Sequence, residues 1–273
     1  AGTTVKGNYV GVDNTGMAGL GNALHGVYVQ NSADVVVGGS AANDRNVVSG
    51  NGVIGVYMVG ATSNTRVENN LVGLLSDGAT IAANGGAGIE TSATNGVVIH
   101  SNVASGNATR GVHLVNSPNT TVTNNLIGLN EAGTADRGNT SYGIDVDTAA
   151  VNLAVNGNTI AGNGSTGIRI INGDATNNVI TNNRIGVALD GTTGMGNTNG
   201  GVLIQSTSGV TVGGSAANES NIIAYNTGDA ITVLSSGAKN NIVSRNVMYA
   251  NTGLGIDLDQ DNVTLNDAGD SDS

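Results

Sequence analysis

Residues 97–115 read VVIHSNVASGNATRGVHLV, and the features of this stretch recur along the chain. Ile99 stands three positions before Asn102, Ala104 two positions after it, Asn107 repeats the asparagine five positions on, and Gly111 opens the quartet GVHL. The Asn102 column continues as Asn8, Asn46, Asn70, Asn125, Asn158, Asn183, Asn221 and Asn246, spaced by 23 to 38 residues, each with an aliphatic or small residue two positions later. After Asn8, Asn70, Asn125 and Asn183 comes an insertion with paired glycines (Gly11/Gly16, Gly73/Gly78, Gly128/Gly133, Gly186/Gly191), closing at Asn22, Asn84, Asn139 and Asn197. The intervening units are short, with pairs Asn46/Asn51, Asn102/Asn107, Asn158/Asn163 and Asn221/Asn226, so long and short units alternate. VGGSAAN, at 37–43 and again at 212–218, fits duplication of a larger module.

The GVHL quartet recurs as GVYV from Gly26, GVYM from Gly55, GIET from Gly88, GIDV from Gly143, GIRI from Gly167, GVLI from Gly201, AITV from Ala230 and GIDL from Gly255. Each is a short run of period two bounded by Gly or Asn, the pattern of a strand between tight turns. No stretch sustains an apolar period of 3.6, which excludes substantial helix. Three short strands in about 25 residues cannot bury an apolar face alone; such units must stack into a solenoid. Stacking predicts parallel pairing at about 4.8 Å per rung, hence roughly 43 Å for nine rungs. The asparagine column then sits inside a bend, each amide bonding to the next rung.

Composition agrees with a narrow tube. The 273 residues include 44 Gly and six Tyr but one Pro and no Phe, Trp or Cys. Val, Ile and Leu fill such an interior, and larger rings would overpack it. The lack of cysteine excludes disulfides, thiolate metal sites and cysteine nucleophiles. A net charge of -11 argues against nucleic acid or an anionic membrane as partner. No apolar run approaches the roughly 18 residues that span a bilayer. The chain opens on Ala and reads as a processed or excised piece.

These N-x-I-x-G-N and G-I-x-(I/L/V) units resemble the right-handed parallel β-helix repeats of secreted bacterial surface proteins and of polysaccharide-acting β-helix families. The resemblance implies an all-β fold, a single right-handed parallel β-helix of about nine three-strand rungs over residues 1–260, and a secreted or cell-surface location. It implies an acidic tail over 261–273, leading to further domains of a longer parent. Fold alone does not assign function.

Two positions after each quartet glycine the side chain points outward, and down the rod these positions read Tyr28, Tyr57, Glu90, His113, Asp145, Arg169, Leu203, Thr232 and Asp257. Two positions further on stand Gln30, Val59, Ser92, Val115, Asp147, Ile171, Gln205, Leu234 and Asp259. As an enzyme, the file offers Glu90 and Asp145 as paired acids two rungs apart, near the upper separation of an inverting glycosidase. His113 between them is an acid–base candidate, and Arg169 a group to neutralise a uronate carboxylate. Tyr28, Tyr57 and Asp147 are the candidate sugar contacts. As a structural face, the same file makes favourable cross-strand pairs of Glu90 with His113 and of Asp145 with Arg169. The paired-Asp and Gly-His-Gly pattern of polygalacturonases, the Asp-Pro-His pattern of alginate epimerases and the basic cluster of pectate lyases are not found. The long loops enter immediately before this strand and are expected to wall the same face into a groove. His25, at a loop end, and His100, on a second face, read as structural or solvated.

Asp257, Asp259, Asp261, Asp267 and Asp270 crowd the end of the chain with the hard oxygen ligands that Ca²⁺ takes. The order departs from an EF-hand loop, with Asn262 and Ala268 where Gly and Glu belong. Calcium is the one cofactor this reading names. The function expected is a structural or adhesive stalk module that contacts carbohydrate or another cell-surface ligand without catalysis. The alternatives are a polysaccharide lyase, epimerase or inverting glycoside hydrolase acting on the exposed strand face, and a viral or phage spike shaft. Oligomeric state leaves no mark on the sequence.

Overall fold

The computed structural model describes residues 2–60, 62–148, 150–235 and 237–258. The chain winds as a parallel β-helix with three strand-bearing faces. The front face carries the quartets, from Val27–Gln30, Val56–Val59, Ile89–Ser92, Val112–Val115 and Ile144–Asp147 to Asp229–Leu234 and Ile256–Leu258. A side face runs from Thr4–Val5 through Arg66–Glu68, Val98–His100 and Thr121–Thr123 to Ile242–Ser244. A rear face of two- and three-residue strands, from Tyr9–Val10 to Val247–Tyr249, forms a sheet of nine strands, all pairs parallel. Thr166–Thr181 and Gly200–Gly213 run unbroken from front to side face, which merges those two faces into one sheet of sixteen strands. The sequence units read these as separate strands; Gly173 pairing with Thr207 and Asp174 with Ser208 carries the ladder round the corner. Among the described residues one single-turn 3-10 segment, Ala42–Asp44, is the only helical element.

Alternation fills the tube. In each quartet the first and third residues after the glycine turn inward, so Met58, Leu114, Val146, Ile170 and Ile204 lie in one file with almost no exposure. Val67, Ile99, Val122, Val155 and Ile180 supply the side face, and Val72, Ala104, Ile127, Ile160 and Ile185 the rear. In seven rungs the side-to-rear bend is a single residue at positive φ, filled by Gly7, Asn69, Ser101, Asn124, Gly157, Asn182 and Arg245, while longer segments follow Val36–Gly38 and Gly213. Asparagine and glycine dominate here because they reach this conformation at least cost.

The long loops correct an expectation. They are β-hairpins, held by the antiparallel bridges Val12–Gly19, Leu74–Ile81, Leu129–Asp136 and Val187–Gly194, and they fold back over the rear face instead of walling the front. Beneath them the outward residues Val47, Leu71 and Val103 of the rear strands are buried with Leu74 of the second hairpin, as an apolar cluster separate from the tube. The turn to hairpin is short and polar, and the rear strands carry apolar residues on both sides, so the hairpins cover surface that would otherwise be wet. The hairpins also stack on each other across the short rungs: Ser76 N–H donates to Gly16 O, Glu131 to Gly78 and Leu189 to Gly133, at 2.8 to 3.0 Å. The front face is left open.

Candidate functional site

The register that aligns the quartets builds the front face. Tyr28 pairs with Tyr57, Tyr57 with Glu90, Glu90 with His113, His113 with Asp145, Asp145 with Arg169, Arg169 with Leu203, Leu203 with Thr232 and Thr232 with Asp257. Four charged or ionisable side chains therefore occupy consecutive rungs. His113 Nδ1 lies 3.0 Å from Glu90 Oε2, and Nε2 lies 3.9 Å from Asp145 Oδ2. Asp145 is 0% exposed. Arg169 grips it with both ends of its fork, Nε to Oδ1 and Nη2 to Oδ2, each 2.8 Å. Arg110 Nε donates to Oδ2 as well. One buried carboxylate thus answers two guanidinium groups, the bidentate geometry that fixes position as well as charge. The guanidinium of Arg169 also lies 4.0 Å above the ring of Tyr142. Burial alone would lower the Arg169 pKa; the bonds to Asp145 outweigh it and raise the pKa above the ordinary arginine value.

At the other end of the file Tyr28 and Tyr57 stand 5.6 Å apart, and the His25 ring joins them, stacked on Tyr28 at 5.5 Å and tilted against Tyr57 at 5.0 Å. Tyr28 is half exposed. Burial first, and the Glu90 carboxylate second, raise the Tyr57 phenol above its usual pKa. His25 is therefore part of an aromatic platform, not a solvated loop end. His100 lies apart on the side face, Nδ1 2.9 Å from Thr123 Oγ1. Asp147 lies one position pair further along the same strand as Asp145, 3.5 Å from Asn172 Nδ2. Asp257 lies on the last front strand in register with Thr232, while Asp259, Asp261, Asp267 and Asp270 lie outside the described residues. Among the described residues no group of three or more His, Asp or Glu side chains is arranged to hold a metal ion.

The asparagine column lies inside the side-to-rear bend. From Asn8 to Asn246, each Nδ2 donates to the Oδ1 of the next asparagine at 2.8 to 3.1 Å. A second ladder runs in parallel at the rear-to-front bend: Asn22, Asn51, Asn84, Asn107, Asn139, Asn163, Asn197, Asn226 and Asn251, bonded at 2.9 to 3.0 Å. It unites the closing asparagines of the long units with the second asparagines of the short ones. Its signal in the sequence is a constant offset, four positions before the first residue of every front quartet. Arg110 and Tyr142 also escape a motif search; both occupy the residue just before a quartet glycine, a column that points along the front face.

The family model described as right handed beta helix region matches residues 19–195, well over half of the chain. No curated protein matches the chain in sequence. Among solved structures, a mutant of the periplasmic alginate epimerase AlgG superposes with a TM-score of 0.63 at 18% identity, over 82% of this chain and 47% of that one. The chain thus spans about half the length of that epimerase. The Streptococcus pneumoniae surface protein and adhesin PfbA superposes with a TM-score of 0.50 at 11% identity, over 94% of this chain and 74% of that one. Both likenesses concern the fold.

Proposed function

The chain belongs to the right-handed β-helix family, and we propose that it is a non-catalytic rod module of a secreted or cell-surface protein, holding carbohydrate along its open front face. The state of Asp145 carries this reading. A carboxylate that is wholly buried and engaged by two arginines is neither a free nucleophile nor a proton shuttle. The imidazole of His113 occupies the gap between Glu90 and Asp145, where an inverting hydrolase needs room for a water and a sugar. The platform of His25, Tyr28 and Tyr57 offers flat apolar surface with polar edges, which suits the mixed faces of a pyranose ring. The ladder at the rear-to-front bend adjoins this face and supplies rigidity, so little ordering entropy is lost on binding. Incubation with a panel of polysaccharides tests the reading: retention by at least one glycan on affinity gels, with no release of reducing ends and no ultraviolet absorbance from unsaturated uronates, is expected. Turnover of any glycan above a heat-denatured control would overturn it.

One observation favours a second reading, a polysaccharide lyase or epimerase. His113 Nε2 is buried and makes no hydrogen bond among the described residues, with two arginines close by on Asp145. A base at Nε2 and cations for a uronate carboxylate are the groups such chemistry needs. That reading requires turnover that His113→Ala abolishes and His100→Ala leaves intact.

A further inference from the structure

The column just before the quartet glycines changes size along the rod. It runs Arg110, Tyr142, Thr166, Gly200 and Asp229, and Gly200 pairs with both Thr166 and Asp229 across the sheet. Gly200 sits at φ +141, and a Cβ there would come within 2.9 Å of Asp229 O. The vanishing side chain leaves a hollow of about 290 Å³ in the front face above Tyr142, lined by Tyr142, Ser165, Asn199, Leu203, Thr227 and Thr232. This size is at the lower end of small-molecule sites.

The lining is uncharged, and several of its polar groups are uncommitted. Asn199 Nδ2 donates to Ser165 Oγ at 3.1 Å, which leaves Asn199 Oδ1 as an acceptor and the Ser165 hydroxyl proton as a donor. The Thr227 hydroxyl has no hydrogen-bond partner among the described residues. Leu203 gives the floor an apolar patch in line with Arg169 and Thr232. Next to it stands Asp229, whose carboxylate takes Leu254 N–H at 2.7 Å and the hydroxyl of the lining residue Thr232 at 3.1 Å, while Asp257, one rung on from Thr232, is buried. Donors and acceptors over an apolar floor match a sugar's hydroxyls and its C–H face, whereas the Asp229 carboxylate beside Thr232 and a net charge of -11 repel an anion.

We propose that this hollow is a subsite for one neutral pyranose unit of a glycan, and that it excludes uronates. The proposal rests on the carbohydrate-holding reading of the front face and narrows it to one position and one sugar class. Arg169 marks the boundary: its guanidinium is already committed to Asp145 and Tyr142, so it offers no charge to a uronate bound above it.

Titration calorimetry with neutral trisaccharides from mannan, glucan and galactan, and with uronate trisaccharides of equal length, tests it. Asn199→Ala removes the acceptor and Thr227→Trp fills the hollow, both at exposed positions away from the tube. His100→Ala is the control, because His100 lies apart on the side face, on the strand Val98–His100, with Nδ1 2.9 Å from Thr123 Oγ1. A neutral trisaccharide should bind, weaken tenfold or more in both hollow variants, and change less than twofold in His100→Ala. Binding that both hollow variants leave unchanged overturns the subsite and spares the front-face reading. A uronate trisaccharide bound as tightly, and equally sensitive to Asn199→Ala, overturns the sugar class. No binding by any trisaccharide or polysaccharide overturns the subsite together with the reading beneath it.

Discussion

A single ladder asparagine makes more bonds than a surface residue of its size. Asn125 takes Nδ2 and the backbone N–H of Asn102 on its Oδ1, and gives its own Nδ2 to Ile99 O and Asn158 Oδ1. Because the site is buried, Asn125→Ala strands several partners at once, each worth about 1–3 kcal/mol. A loss of at least about 3 kcal/mol is expected by urea denaturation. Asn95→Ala is the contrast: Asn95 is exposed and takes one bond from Asn119, and about 0.5 kcal/mol or less is expected. Equal costs for the two would show that the ladders do not hold the rungs. The hairpin tips use side chains differently. Asp190 accepts the backbone N–H groups of Thr192 and Thr193 at 2.8 Å and the Thr193 hydroxyl at 2.6 Å. The Thr193 hydroxyl and these amides lower its pKa from 3.8 to about 2. A carboxyl with a depressed folded pKa contributes stability that is present above pH 4 and lost as the pH falls toward 2. Asp77 makes the same contacts with Ala79 and Thr80 in the second hairpin, and Asp190→Asn keeps the side-chain shape while removing the charge. The gap in melting midpoint between wild type and Asp190→Asn should be present at pH 6 and close between about pH 4 and pH 2; a gap that stays constant would exclude the carboxylate.

At the scale of the elements, strands and stacking were legible because period-two alternation and repeated bends reveal themselves in one dimension. Every quartet from Val27 to Ile256 lies on the front face, and the order from Tyr28 to Asp257 is the order along the sheet. The hairpins were not legible in the same way. Their glycine pairs mark a turn, but only packing decides whether a turn leans on the front strand that follows or the rear strand that precedes it. The deciding residues are Val47, Leu71 and Val103, whose outward faces need cover, and Leu74, which supplies it with no exposure of its own. Leu74→Ala should therefore cost about 3 kcal/mol, in the range for a fully buried leucine, although it lies in an insertion outside the helix proper. A change under about 0.5 kcal/mol would mean that the hairpins are loose ornaments. The same limitation hid Arg110 and Tyr142: a lone arginine before a glycine carries no motif, and only the fold brings it to Asp145.

For the whole molecule, the front face sorts into an aromatic end, a charged middle and an uncharged hollow, and the hairpins armour the opposite side. The charged middle is where a binding rod and an enzyme make opposite demands. Catalytic groups are held at some cost to stability, so removing one tends to leave a protein as stable or more so. A carboxylate that ties rungs together does the reverse, since its loss leaves two guanidinium groups facing a site without a counter-charge. The unfolding free energy of Asp145→Asn, measured by denaturant titration against wild type, separates the two directly. A loss of about 3 kcal/mol is expected if Asp145 binds the rungs through Arg110 and Arg169; unchanged or increased stability would contradict the account in which this carboxylate ties the rungs together.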